Sequence, residues 1–221
     1  MRDTTIPVTV VVMAKRPVPG RVKTRLCPPC TPRQAAAIAA AALADTIAAV
    51  AAARVPRRVL ALDRTAGFAA PPGFALVGQR GDGLAERLAS AAAALAGPVL
   101  IVGMDTPQVD RARLEHAART LLEPGVDAVL GPASDGGYWT IGLRSPRAAV
   151  FDGVPMSRSD TADEQRARLR VLGARTVELC EQRDVDTFDD ALAVAALAPR
   201  TRFARAVGAV ACSPELVGAG R

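Results

Sequence analysis

A β-branched run, Val8-Thr-Val-Val-Val12, opens the regular patterning and predicts a buried first strand reaching Lys15. A long apolar segment then predicts a helix from about Pro32 to Ala53, with Thr31 as its N-cap and proline in its first position. Arg58–Leu62 and Phe74–Val77 read as a second and a third strand, separated by a Gly/Pro-rich loop. Leu84, Leu88, Ala91 and Leu95 recur at helical spacing and predict a helix over Gly83–Leu95. Gly97-Pro98 breaks it ahead of Val99-Leu-Ile-Val102, the clearest buried strand. A helix from Asp110 to Leu122 and strands at Ala128–Leu130 and Tyr138–Gly142 follow. Next come a helix near Ala162–Leu172, a strand over Arg175–Leu179 and a helix over Thr187–Leu197.

This alternation implies an α/β layered fold with a mainly parallel sheet flanked by helices. Neither an internal repeat nor a domain-scale linker is visible, so residues 1–198 are expected to form one domain. From Pro199 onward the periodicity fades, and 199–221 are expected to be a loosely ordered tail.

Half of the 221 residues are apolar and only 3% are aromatic, so the core must be aliphatic and rich in alanine. Such a chain lacks the aromatic platforms that single-stranded nucleic acid requires. A net charge of +6 favours anionic partners. The arginines are nevertheless scattered rather than arrayed on one face, and no nucleic-acid partner is expected. Arg2 and Asp3 lead straight into the first strand, with no cleavable apolar stretch between. Ala35–Ala53 is mostly alanine and carries Asp45, which suits a close-packed helix better than a membrane span. A cytoplasmic protein without a membrane partner is the resulting expectation.

Charge is distributed unusually in one respect. Lys15 and Lys23 are the only lysines among 28 basic residues, and both belong to the loop Met13-Ala-Lys-Arg-Pro-Val-Pro-Gly-Arg-Val-Lys-Thr-Arg-Leu26. A basic Gly/Pro turn at the end of a first strand is where an open α/β sheet places phosphate groups. Cys27-Pro-Pro-Cys30 follows directly. A zinc site would need a second cysteine pair or histidines, and the single histidine, His116, falls in a predicted helix without ligand spacing. The cysteine pair reads as a loop exit, with redox chemistry as a lesser alternative.

Three aspartates fall where the sheet would present them. Asp105 follows the Val99–Val102 strand in Gly103-Met-Asp-Thr-Pro107, Asp135 lies in Ser134-Asp-Gly-Gly-Tyr138, and Asp186 lies in Val185-Asp-Thr-Phe-Asp-Asp190. Taken singly, they also suit an Asx-turn, a hairpin turn and a helix cap. Together with the basic loop they suit a metal–nucleotide site, in which cations hold phosphate oxygens and carboxylates hold the bridging metal. The loop is not a Walker A motif, because Val22 rather than glycine precedes Lys23.

With these residues in place, the chain resembles the nucleotide-diphospho-sugar transferase superfamily, a three-layer Rossmann-like GT-A fold. More narrowly it resembles a bacterial glycosyltransferase-like family known as radical-SAM/selenodomain-associated transferases. The matching segments are the basic loop, Gln79-Arg-Gly-Asp-Gly-Leu-Ala-Glu-Arg87, Gly103–Pro107, Pro132-Ala-Ser-Asp-Gly-Gly-Tyr-Trp139 and Val185–Asp190. Phospholactate and molybdenum-cofactor guanylyltransferases are similar at the first loop, at the strand-end Asp-x-Pro and at the late Val-Asp-Thr.

The resemblance implies that Lys23 and Arg25 hold a triphosphate, with Gly20 allowing close backbone approach and Ala14 at the strand exit lining the nucleotide site. Lys15 would reach the phosphates or the second substrate, Lys23 having the stronger claim of the two. The segment from Gln79 to Gly83 would lie near the base. Asp105 would bind Mg²⁺ (or Mn²⁺), Asp186 would complete the metal site, and Asp135, Gly136, Gly137 and Tyr138 would face the acceptor. Lys23, Arg25 and Asp105 would carry catalysis. Two residues depart from the family pattern near the acceptor side, Met156 in place of tryptophan and Met104 in place of a small residue.

The reading that results is a metal-dependent nucleotidyltransferase. A phosphorylated small metabolite would attack the α-phosphorus of a nucleoside triphosphate, and pyrophosphate would leave. A glycosyltransferase using an NDP-sugar on the same fold is the close alternative, and a non-catalytic nucleotide-binding module the third.

Overall fold

The Val8–Val12 run becomes β1 (Thr9–Ala14), whose residues are all buried, in the interior of a seven-stranded sheet. The computed structural model describes residues 5–212. The other strands are β2 (Arg57–Leu62), β3 (Ala75–Gly78), β4 (Val99–Gly103), β5 (Ala128–Pro132), β6 (Tyr138–Leu143) and β7 (Thr176–Glu178). They lie in the order β3-β2-β1-β4-β6-β5-β7. All neighbours are parallel except β6, which runs antiparallel between β4 and β5.

Side chains alternate along β1 and feed two separate cores, as the two-residue period of a strand requires. Val10, Val12 and Ala14 pack with α1 (Pro32–Ala52) and α3 (Arg111–Leu121). Val11 and Met13 pack on the opposite face with α2 (Leu84–Ala93) and α4 (Thr161–Val171). Helices thus cover both faces of the sheet, and the expected three-layer α/β fold is observed. Each fully buried leucine here, such as Leu60, Leu62 or Leu100, contributes about 1.5–3 kcal/mol.

The alanine content of α1 has a direct cause. One face meets the sheet through Ala36, Ala39, Leu43 and Val50. The other face, with Ala35, Ile38 and Ala42, meets a third cluster formed by α5 (Phe188–Leu197) and α6 (Arg202–Ala211). A helix packed on two sides is apolar nearly all round. By length and composition α1 could cross a membrane, but here it is an interior helix of the layered fold. A capping box between Thr31 and Gln34 starts it.

α6 corrects the expectation of a loose tail after residue 198. Phe203, Val207 and Val210 recur at helical spacing and bury against α1 and α5. Thr201 caps the new helix by accepting from the Ala204 N–H at 3.0 Å, and Asp45 of α1 accepts from the Arg202 and Phe203 N–H groups at 3.2 and 2.8 Å, tying its first turn to α1. The remainder of the expected tail, 213–221, lies outside the described residues.

Candidate active site at the C-terminal edge of the sheet

Parallel strands bring their C-terminal ends to one edge of the sheet, and the predicted chemistry collects there. A cavity of about 660 Å³ runs along this edge, within the range usual for small-molecule sites. The basic loop follows β1, Gln79 follows β3, Asp105 follows β4, Asp135 lies in the β5–β6 turn, and Asp184 and Asp186 follow β7.

Two apolar anchors hold the basic loop. Val22 inserts into the core between sheet and α1, and Leu26 into the core beneath α5 and α6. Between them Lys23 adopts a left-handed backbone, φ 48°, a conformation that costs a non-glycine residue about 1–2 kcal/mol. Its side chain is only 10% exposed and lies 2.7 Å from Asp105 Oδ1 and 3.5 Å from Asp186 Oδ1. The ammonium also donates to the Val185 carbonyl. Burial alone would lower its pKa, but Asp105, with Asp186 and Asp184, outweighs burial and holds the group above the ordinary lysine range. Arg25 reaches the other oxygen of Asp186 at 2.7 Å.

The segment after β7 is tied to its neighbours by backbone and side-chain bonds. Val185 N–H donates to the Asp105 carbonyl at 3.0 Å, and Gln108 Nε2 donates to the Arg183 carbonyl at 2.5 Å. Ser134 N–H donates to the Gln182 carbonyl at 3.0 Å, drawing the β5–β6 turn alongside. Asp135 then closes its own turn by accepting from the Gly137 N–H at 2.7 Å.

As a result, Asp135, Asp184 and Asp186 each present a carboxylate oxygen within 4.8 Å of the others. Burial first, and then the charges of Asp135 and Asp186, push Asp184 up to about 6. Three convergent carboxylates form a donor set that suits a hard divalent cation such as Mg²⁺ or Mn²⁺.

Not every expected residue falls where the resemblance puts it. Ala14, Lys15, Lys23, Arg25, Gln79, Asp105, Asp135, Gly137, Tyr138 and Asp186 line the cavity, whereas Gly20, Gly83 and Gly136 are not among its lining residues. Gly20 makes a left-handed turn, φ 75°, with open space around it. Gly83 is the N-cap of α2. At Gly136 a Cβ would sit 1.9 Å from the Ser159 carbonyl oxygen, so glycine there permits the close approach of the Pro155–Asp160 segment. Asp105 is paired with Lys23 and does not join the carboxylate triad. Asp135, expected at the acceptor, does join it.

The two lysines have different surroundings. Lys23 is spent on carboxylates. The exposed Lys15 lines the cavity with no acidic partner within ion-pair distance among the described residues. Beneath the strand exit, the sulfur of the buried Met104 accepts from the Lys15 backbone N–H at 3.3 Å.

Asp184 is the residue that sequence reasoning missed. Its signal was the alternation Asp184-Val-Asp186 in an extended segment, which turns Val185 into the core and both carboxylates toward the cavity. At the far wall, Tyr138 O–H donates to Gln165 Oε1 at 3.3 Å and lies 3.8 Å from the Met156 sulfur. The fully buried Gln165 is itself fixed by its bond to the Val150 carbonyl at 2.8 Å. Ser157, left-handed at φ 61°, and Arg158 complete that wall. Cys27 and Cys30 are free thiols. Cys30 packs in the third core, where burial and then Cys27 push its pKa up, the opposite of what a reactive thiol needs.

No curated protein matches the chain. A family described as "Uncharacterized protein conserved in bacteria (DUF2064)" matches residues 36–158. Among solved structures, a candidate nucleotide-diphospho-sugar transferase of Desulfovibrio desulfuricans G20 is 23% identical, with a TM-score of 0.76 over 97% of this chain and 94% of its own. CMP:2-keto-3-deoxy-manno-octonic acid synthetase complexed with CTP is 15% identical, with a TM-score of 0.57 over 88% of this chain and 99% of its own. Rv0371c of Mycobacterium tuberculosis H37Rv, in complex with manganese, is 23% identical, with a TM-score of 0.52 over 86% and 98%. These likenesses establish a shared fold.

Proposed function

The chain belongs to the DUF2064 family of uncharacterized proteins conserved in bacteria, and we propose that it is a metal-dependent nucleotidyltransferase acting on a phosphorylated small metabolite. One observation carries this reading. A single cavity joins the carboxylate triad Asp135, Asp184 and Asp186 to the exposed cation Lys15, with Arg25 paired to Asp186 at its rim and Lys23 buried between Asp105 and Asp186.

A divalent ion held by the triad would neutralise phosphate charge and polarise the phosphoryl group under attack. Lys15 and Arg25 would bind the triphosphate and stabilise the charge that develops on departing pyrophosphate. Lys23 would neutralise and position Asp105 and Asp186. An ionised phosphate acceptor needs no deprotonation, and the cavity has no histidine among its lining residues. Catalysis then rests on alignment and charge stabilisation. Tyr138, braced by Gln165, and Met156 would shape the acceptor end. The fold it shares with a synthetase solved with CTP and with a manganese-bound protein supports a nucleotide and metal reading.

Glycosyl transfer from an NDP-sugar is the second reading, and Asp135 favours it. Its carboxylate is exposed beside Tyr138 and could serve as base toward a hydroxyl acceptor.

Thermal melting in Mn²⁺ with nucleoside triphosphates and with NDP-sugars separates the two, because a ligand stabilises the state it binds. Stabilisation by triphosphates, with pyrophosphate release when phosphorylated metabolites are added, supports the first reading. Stabilisation by NDP-sugars alone supports the second, and no shift with either class overturns both.

A further inference from the structure

The direction of one side-chain amide bears on which nucleotide the cavity accepts. Gln79 follows β3, and its backbone N–H extends the ladder by donating to the Leu62 carbonyl at 3.0 Å. Its side-chain Nε2 donates to the Ala14 carbonyl at 2.8 Å and to the Ala61 carbonyl at 2.9 Å. Both neighbours are carbonyl oxygens that can only accept, so the NH₂ group must face them and the amide cannot be flipped. Its two hydrogens are spent on joining the ends of β1 and β2.

Gln79 Oε1 is therefore the part of the amide left for a ligand. It has no hydrogen-bond partner among the described residues, it is not a buried atom, and its residue lines the cavity. The amide thus presents an acceptor and no donor, while the neighbouring Arg87 donates from Nε and Nη2 to the Gly81 and Asp82 carbonyls. The place of Gln79 in the sheet suits a nucleobase. β3 lies two strands from β1, about 10 Å at the usual strand spacing, which is roughly the reach of a nucleoside from phosphates held at Lys15. Met13, Leu84 and Leu88 supply apolar surface for the faces of a base. The carboxylates occupy the opposite, β5–β7 end.

We propose that Gln79 selects nucleotides whose base carries an amino group (cytosine, guanine or adenine) against uracil and thymine. This inference rests on the proposed nucleotide-using function. An exocyclic amino group donates directly to Oε1. Uracil and thymine carry carbonyl oxygens where those amino groups would be, and an acceptor facing one of them leaves both unsatisfied. Their one edge donor, the ring N3–H, is set back between the two oxygens, so a contact with it brings those oxygens up to the same wall.

The test is calorimetric titration of the native protein in Mn²⁺ with CTP, UTP, GTP, ATP and inosine triphosphate, and with the corresponding diphosphates. Inosine lacks the guanine 2-amino group and has oxygen in place of the adenine 6-amino group. The expected result is that the tightest of the cytosine, guanine and adenine nucleotides binds about tenfold tighter than both the uridine and the inosine nucleotides. Equal binding by uridine or inosine nucleotides overturns the selection by Gln79 and leaves the transferase reading standing. No binding by any nucleotide overturns both. A Gln79→Met variant that folds is expected to bind CDP and UDP, or CTP and UTP, within about threefold of one another. Retained preference in that variant removes Gln79 from the role, and if the variant does not fold, the native series decides.

Discussion

The ammonium of Lys23 sits 2.7 Å from Asp105 Oδ1 in the lining of the cavity at the sheet's C-terminal edge, nearly shielded from water. This pairing makes Lys23 the internal counter-ion of an acidic cluster, whereas Lys15, eight residues earlier on the same loop, keeps its charge directed at the cavity. The left-handed backbone of Lys23 is held by Val22 and Leu26 on either side and by contacts at its ammonium.

Replacing Lys23 with methionine removes one cation from among Asp105, Asp186 and Asp184. Breaking a buried ion pair typically costs about 3–5 kcal/mol, and the partial exposure of the aspartates reduces this to about 2 kcal/mol. Urea unfolding is expected to show that loss as a lowered midpoint with an unchanged slope. A Lys23→Met midpoint equal to the native one would show that the pairing contributes nothing to stability.

Lys15→Ala is expected to behave in the opposite way. With no acidic partner among the described residues, its removal leaves the melting temperature within about a degree, since isolated surface changes are nearly neutral. Nucleotide affinity in Mn²⁺ should fall about tenfold, the usual effect of losing one charge-assisted phosphate contact. Unchanged affinity in Lys15→Ala together with lost affinity in a folded Lys23 variant would return the phosphate role to Lys23.

Asp184→Asn removes one carboxylate of the triad while conserving shape. Mn²⁺ binding, followed by the electron paramagnetic resonance of free Mn²⁺, is expected to weaken at least about a hundredfold. The fold should be retained, because the substitution relieves repulsion from Asp135 and Asp186. Asp105→Asn, outside the triad, should weaken Mn²⁺ less. The reverse order of effects would move the metal to Asp105.

Glu115 gives the stability of the fold its clearest pH dependence. Its buried carboxylate meets Arg54 at 2.9 Å, Arg111 at 2.8 Å and Arg119 at 2.7 Å, joining the end of α1 to α3. The Arg54 hydrogen bond, against the opposing effect of burial, and then Arg111 and Arg119 hold its pKa far below the ordinary glutamate range. A depressed carboxylate contributes fully above its unfolded pKa, about 4.3, and loses that contribution as pH falls toward the folded value. Glu115→Gln is therefore expected to cost about 2–3 kcal/mol at pH 7. Its difference from the native protein should shrink progressively below about pH 4. Urea midpoints of both proteins across pH 3–7 check this, and a pH-independent difference would contradict it.

Much of the fold was legible in local pattern. The Val8–Val12 and Val99–Val102 runs, the Thr31-Pro32 helix start and the Gly97-Pro98 break all report interactions between residues close along the chain. α6 was not read, although Phe203, Val207 and Val210 have helical spacing. Its N-cap, Thr201, is local and accepts from the Ala204 N–H, but the carboxylate that ties the helix start to α1 comes from Asp45, 157 residues away from Arg202. The antiparallel insertion of β6 likewise depends on which strands meet, and no strand carries that information in its own residues.

The same division holds at the site. By itself the sequence determined which residue types reach the C-terminal edge of the sheet, because strand ends and turn residues are set by local periodicity and by glycine and proline chemistry. It thereby identified the basic loop, Asp105, Asp135 and Asp186 as neighbours in one region. Tertiary structure alone decided their partners. Lys23 pairs with Asp105 and Asp186 because Val22 and Leu26 insert into different cores and aim it inward. Asp184 joins Asp135 because Gln182 bonds across to the β5–β6 turn. Gln79 turns its amide hydrogens to Ala14 and Ala61 because β1 and β2 end beside it. Ion pairing and hydrogen bonding depend on separations of a few ångströms between atoms distant in the chain, and only packing sets those separations.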